Sequence, residues 1–174
     1  MDELQRSQAW FEARLGKATA SKCSDILAKV KSGEAATRRN YRIQLVCERI
    51  TGTLTEHFTT RDMEWGTEQE PFARAAYEAA TGNFVDECGA VDHSTISMFA
   101  ASPDGLVGKD GLIEIKCPRP ATHIEWMLDG RVPAQHKPQM IAQIACTGRK
   151  WADFVSFDPR MPEHLQLFIV RFTP

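Results

Sequence analysis

The segment that most constrains the fold of this chain is Gly111-Leu112-Ile113-Glu114-Ile115-Lys116, preceded by the turn sequence Ser102-Pro103-Asp104-Gly105. The alternation at 112–116 has the two-residue period of a strand, so Ile113 and Ile115 face one way and Glu114 and Lys116 the other. If Gly108-Lys109-Asp110 is a three-residue hairpin loop, Asp104 falls directly opposite Glu114. A slip of one residue would send the two carboxylates to opposite faces. In the unslipped register two acids and one lysine converge. Two like charges ~4 Å apart repel by about 4 kcal/mol at an effective dielectric of 20. Such a pair calls for a cation or a shared proton. Each piece also has a plain structural use. Ser-Pro-Asp-Gly is a good turn, and Glu-Ile-Lys is what a half-buried edge strand shows.

The rest of the 174 residues reads as a mixed α/β (α+β) arrangement, a central sheet flanked by helices. Trp10, Phe11 and Leu15 fit a helix ending at Gly16. Thr19 or Ser21 caps a short helix running to Ala28. Lys31 to Thr37 reads as a polar loop. Tyr41, Leu45, Val46 and Ile50 recur at helical spacing before Gly52. Thr67-Glu68-Gln69-Glu70 has the form of a capping box opening a helix to Gly82. Strands are expected over 84–88, 97–101, 112–116, 153–157 and 165–172, with helices over 122–128 and about 133–147. The length suits one domain over 1–174.

Composition narrows the function classes. Apolar residues make up 43% and charged residues 25%, as in ordinary globular proteins. No run of ~18 apolar residues suggests a membrane span. The first 16 residues carry acids where a signal peptide carries bases, which points to a cytoplasmic protein. The five cysteines, Cys23, Cys47, Cys88, Cys117 and Cys146, are scattered and form no paired motif. They read as reduced, mostly buried thiols. His57, His93, His123, His136 and His164 show no ligand spacing, and the four tryptophans read as packing residues. Residues 1–61 hold 11 Lys and Arg against 7 Asp and Glu, whereas 62–174 hold 10 against 16. A basic part beside an acidic part suits an anionic partner and a cation-binding centre.

Taken together, Pro103-Asp104 and Glu114-Ile115-Lys116 spell the PD-(D/E)XK nuclease motif, which implies a restriction-endonuclease-like core. Further segments resemble one branch of those nucleases, the lambda-exonuclease-like, YqaJ-type viral recombinase family. These are Trp10-Phe11-Glu12-Ala13-Arg14-Leu15-Gly16 with Thr19-Ala20-Ser21, Trp65-Gly66-Thr67-Glu68-Gln69-Glu70, Glu114 to Pro118, Gln139, and Asp158-Pro159-Arg160-Met161. The resemblance spans residues 7 to 172. It implies an Mg2+-dependent (or Mn2+-dependent) deoxyribonuclease with one or two ions per site. It would digest linear duplex DNA in the 5′→3′ direction and leave 3′ overhangs for a single-strand annealing protein, in a bacterium or a phage-infected host. It further implies a trimeric ring of identical subunits.

By position, the resemblance makes Asp104, Glu114 and the backbone carbonyl of Ile115 metal ligands. Lys116 positions or activates the attacking water, and Glu70 completes the acidic centre. Arg14, Ser21, Ser102 and Gln139 hold the terminal 5′-phosphate, and Met63 is the wedge at the last base pair. The family's second late-helix glutamine is replaced here, and Gln143, one turn after Gln139, is a candidate substitute. Two other readings stand beside this one: a structure-specific or restriction-type endonuclease with the same core, and a non-catalytic DNA-binding or assembly module.

Overall fold

The computed structural model describes residues 5–55 and 59–174, so His57 lies outside the described residues. In chain order the elements are α1 (Gln8–Arg14), β1 (Ala18–Thr19), α2 (Cys23–Leu27), α3 (Ala36–Thr51), α4 (Arg61–Thr81), β2 (Val85–Asp86), β3 (Val91–Asp92), β4 (Phe99–Ala101), β5 (Gly105–Val107), β6 (Gly111–Lys116), α5 (Pro120–Asp129), α6 (Lys137–Thr147), β7 (Trp151–Phe157) and β8 (Leu167–Phe172). The chain divides into two compact units. One comprises Met1–His57, Cys88–Ser102 and Ala134–Gly148; the other comprises Phe58–Glu87, Pro103–Pro133 and Arg149–Pro174.

The first unit holds a small sheet in the order β1-β4-β3, with β1 parallel and β3 antiparallel to β4. Its core is made of small side chains, Ala20, Cys23, Ala101, Ala142 and Cys146, with Phe99 against them. Small residues let α6 lie close on the sheet. The end of α1 is held by α3. The Glu48 carboxylate is only 3% exposed and accepts from Gly16 N–H (3.2 Å), Gln44 Nε2 (2.8 Å) and Thr55 N–H (3.3 Å). Burial would raise its pKa, but these hydrogen bonds hold it below the ordinary range. Residue 16 must be glycine twice over. Its φ is +65°, and a Cβ would sit 2.6 Å from Arg49 Cγ.

The second unit is built on a five-stranded sheet ordered β2-β5-β6-β7-β8, in which only β6 and β7 run parallel. One face carries Val107, Ile113, Ile115, Val155 and Phe157, and Ala73 and Tyr77 of α4 pack on it. Alternation sends Phe154 and Ser156 to the opposite face, where α5 covers them. Trp126 meets Phe154 edge-on at 5.3 Å, and buried His123 bonds Ser156 Oγ (2.7 Å) and the Leu165 carbonyl (2.8 Å). On the α4 side, Tyr77 donates to Asp153 Oδ2 (2.8 Å), and Arg171 closes the same carboxylate from the other side. Burial and then Asp153 push the Tyr77 pKa up.

Several expectations are corrected. The helix expected from Thr67 begins six residues earlier, at Arg61, capped by Thr60, whose Oγ1 accepts from Met63 N–H (3.3 Å). Thr67 instead donates its hydroxyl to the Met63 carbonyl (3.0 Å), so Glu70 lies inside the helix rather than in a capping box. Gly66 punctuates that stretch and hides the first turns of the helix, and Pro71 is carried inside it. The expected helix from about residue 133 starts at Lys137. On α3, Val46 is 48% and Ile50 80% exposed, so its apolar spacing does not mark a wholly buried face. The cysteines are all free thiols, but Cys47 is exposed and Cys88 and Cys117 are half-buried. Among the described residues, no helix is long and apolar enough to cross a membrane.

Candidate active site

The hairpin register is the one that brings the acids together. Gly105 pairs with Ile113 and Val107 with Gly111, which leaves 108–110 as the loop and carries Asp104 opposite Glu114. The pairing continues past the end of β5: Asp104 N–H donates to the Ile113 carbonyl (3.2 Å), and Ile115 N–H donates to Asp104 Oδ2 (2.7 Å). On the other side of β5, Gly105 lets β2 lie close, because a Cβ there would lie 2.1 Å from Val85 Cγ1. Glu114 is 0% exposed on an interior strand of the sheet, which sets aside the edge-strand reading of Glu-Ile-Lys. Lys116 Nζ donates to Glu114 Oε1 in an ion pair.

The electrostatics follow from crowding acids in a poorly solvated place. Burial raises the Asp104 pKa well above the ordinary carboxylate range, and Glu114 and Glu70 push the same way against the pull of Lys116. Burial would lower the Lys116 pKa, but Glu114 and Asp104 raise it past the usual lysine value, so in this arrangement Lys116 is an ammonium donor. Neighbouring Cys117 is pushed up to about 12 by burial, then by Glu70 and Asp104, which leaves an unreactive thiol. Among the described residues, no three His, Cys, Asp or Glu side chains converge as a ready-made metal site. What the second unit offers is a pair of carboxylates, Asp104 and Glu114, with Glu70 acting on Asp104 from α4. Its negative charge exceeds what one lysine neutralises, and hard oxygen donors with surplus charge fit Mg2+ or Mn2+.

Glu70, 12% exposed, reaches the centre from α4 and accepts from Arg74 Nη2 (3.1 Å). Beyond β7, Asp158 is fully buried and accepts from the side chain and backbone of Arg160 (2.7–3.0 Å), whose Nη2 also donates to the Pro118 carbonyl (3.0 Å). The Arg160 guanidinium lies 4.4 Å from the Trp65 ring centre. The matched Asp158-Pro159-Arg160-Met161 stretch thus clamps the segment that follows Lys116. Burial alone would raise the Asp158 pKa, but its bonds from Arg160 lower it below the usual range. Met63 is 54% exposed on the first turn of α4 and is no core residue.

The first unit gathers a different set. Arg14, from the last turn of α1, stacks 4.1 Å from the Trp10 ring centre and donates to Ser102 Oγ (3.1 Å). Trp10 Nε1–H donates to the same oxygen (2.9 Å). Both lone pairs of Ser102 are then filled, so its own O–H is left to donate. Burial lowers the Arg14 pKa and Tyr41 partly restores it; a guanidinium nonetheless keeps its charge at physiological pH. Ser21 is exposed, 3.3 Å from Thr19 Oγ1, and the buried Tyr41 hydroxyl accepts from Thr19 N–H (3.1 Å). Gln139 is half-buried on α6, whereas Gln143 is fully buried and is not placed to replace it at an open surface. Of the expected phosphate residues the structure joins Arg14 and Ser102, and a guanidinium beside a donating hydroxyl is anion-binding chemistry. Trp10, read from sequence as packing, belongs to this set. Arg74 was also missed, although its spacing of four from Glu70 is a legible helix pairing.

Residues 9–150 match the YqaJ-like viral recombinase domain, and the chain belongs to that family. Its fold is closely matched by LHK-Exo, an alkaline exonuclease from Laribacter hongkongensis, at 50% identity and a TM-score of 0.89 over 96% of this chain and 82% of that one. The same protein in complex with dAMP matches with the same figures. A phage-related exonuclease from Haemophilus somnus 129PT shares the fold at 14% identity, with a TM-score of 0.68 over 90% of this chain and 84% of that one. No curated protein matches the chain. Family and neighbour together make this protein a nuclease.

Proposed function

We propose that this nuclease is a divalent-metal-dependent exonuclease. It digests linear duplex DNA from 5′ ends and leaves 3′ single strands for a single-strand annealing protein. The observation that carries the reading is the hairpin register that sets Asp104 opposite Glu114 with Lys116 on the same face. We read it as the PD-(D/E)XK arrangement, and the likeness to LHK-Exo, an alkaline exonuclease at 50% identity, supports the reading. Asp104, Glu114 and the Ile115 carbonyl would hold the cation. When bound, it supplies Lewis-acid stabilisation of charge on the scissile phosphate. Lys116, as an ammonium, orients the attacking water and opposes charge building on the phosphoryl oxygens. Glu70 completes the acidic side of the centre.

Arg14, Ser21, Ser102 and Gln139 receive the terminal 5′-phosphate, and exposed Met63 serves as the wedge at the end of the duplex. A guanidinium held by stacking and a hydroxyl forced to donate favour an end-reading enzyme over a restriction-type endonuclease. Retention of Asp104, Glu114 and Lys116 disfavours a non-catalytic module. Processive digestion needs a topological grip, because phosphate contacts weaken with salt. We therefore assign a trimeric ring of identical single-domain subunits working in the cytoplasm. The test is digestion of end-labelled linear duplex against a covalently closed circle, with Mg2+ and with EDTA. Loss of the linear substrate alone, and only with Mg2+, is expected. Cleavage of the circle would point to the endonuclease.

A further inference from the structure

Arg74 belongs to neither proposed binding set, yet it touches more of the acidic centre than a surface arginine should. Its side chain is 14% exposed, and that of Glu70, four residues earlier on α4, is 12% exposed. One nitrogen, Nη2, donates both to Glu70 Oε1 (3.1 Å) and to the Asp104 backbone carbonyl (3.3 Å). The other terminal nitrogen pairs with Glu87, which is half in water. Among the described residues, the buried Nε–H has no partner. A guanidinium placed for its own satisfaction would not strand that donor. Its position is set by the acceptors it joins.

We propose that Arg74 is a positioning residue of the metal centre, acting through Glu70. By sharing Nη2 between the Glu70 carboxylate and the Asp104 carbonyl, it ties the acid on the helix to the acid at the strand. The geometry of the two is then fixed before any cation arrives. Helix and strand are separate elements, and a carboxylate on a flexible stem would otherwise lose rotamer freedom on binding. Partners that orient ligands change metal affinity by about 10–100-fold when removed. All three acceptors of Arg74 lie within the protein, so it is not a DNA-phosphate contact. The inference rests on the metal-dependent reading proposed above.

The test is Mn2+ binding to the whole protein, with free Mn2+ read by electron paramagnetic resonance, and affinity for a 5′-phosphorylated duplex end measured in EDTA. Arg74→Gln is expected to weaken Mn2+ binding at least about tenfold and to leave DNA-end affinity in EDTA unchanged. In a Glu70→Gln background the same substitution should have almost no further effect, because coupled residues are not additive. Arg74→Lys keeps the charge without the fork; it should show a smaller loss, also absent in the Glu70→Gln background, and it carries the comparison if Arg74→Gln does not fold. Unchanged Mn2+ affinity, or an equal loss with and without Glu70, overturns the positioning role while leaving the nuclease reading intact. A wild-type protein that binds no Mn2+ overturns the metal reading and this inference with it.

Discussion

The acidic face of the second unit and the Arg14 cluster of the first are built on opposite plans. Asp104, Glu114 and Lys116 come from one hairpin, and the period of a strand and the length of a loop fix their geometry. Arg14, Ser21, Ser102 and Gln139 come from a helix end, a turn, the end of a strand and a late helix. Arg14 and Ser102 are held by side chains, Trp10 under Arg14 and both on Ser102. A site of the first kind tolerates side-chain changes around it but not a change of register. A site of the second kind fails piecemeal, as each support is removed.

The largest expected effect is on the hairpin. Asp104→Asn or Glu114→Gln should reduce cleavage to background, since each removes an acid at the point where charge must be matched. Asp104→Asn should also raise the melting temperature of the metal-free protein. Burial and acidic neighbours raise the Asp104 pKa in the fold, so the native state binds the proton more tightly than the unfolded chain. Its ionisation destabilises the fold as pH rises above the unfolded value of about 3.9. A scan in EDTA at neutral pH that shows no gain would mean that Lys116 already cancels the repulsion. Next, Lys116→Ala should lose turnover but keep Mn2+ binding. Lys116→Arg should fail as well, because a planar fork does not replace a compact ammonium.

Effects in the first unit should be graded. Arg14→Ala should narrow the rate gap between 5′-phosphorylated and 5′-hydroxyl ends. Trp10→Phe, which keeps the ring and loses the Nε1–H bond to Ser102, should narrow it less. Equal gaps in all three proteins would dissociate the cluster from end recognition. The smallest effect on activity belongs to Asp158→Asn, whose expected cost is about 1–3 kcal/mol of stability from weakened hydrogen bonds to a buried acceptor. Arg160 is 44% exposed, so solvent screening places the value toward the lower end. The Asp158 pKa is depressed in the fold, so its stabilisation is full above the unfolded pKa. It is lost as pH falls through the folded one, and mutant and wild-type stabilities should converge in acid.

The same contrast explains what the sequence disclosed. The hairpin was legible because strand alternation and a Gly-Lys-Asp loop are local signals, and the register followed from counting. Gly16, Gly52, Gly82, Gly130 and Gly148 likewise marked helix ends, each with positive φ. The start of α4 was hidden because Gly66 breaks the pattern just before the capping-box signal at Thr67, and the cap that Thr60 places ahead of Arg61 decides it. The place of Trp10 beside Ser102 was not legible, since 92 residues separate them and no local period joins them. Nor was the bond from Arg74 to the Asp104 carbonyl, 30 residues away.

In the proposed function the register-built acidic face cuts DNA from the end that the Arg14 cluster holds. The direct measurement uses one 5′-phosphorylated linear duplex labelled at its 5′ end in one sample and at its 3′ end in another, digested with Mg2+ by the wild-type protein and by Glu114→Gln. Early release of the 5′ label as a mononucleotide, late release of the 3′ label, and no release by the variant are expected. Early release of the 3′ label, or undiminished digestion by Glu114→Gln, would contradict that function.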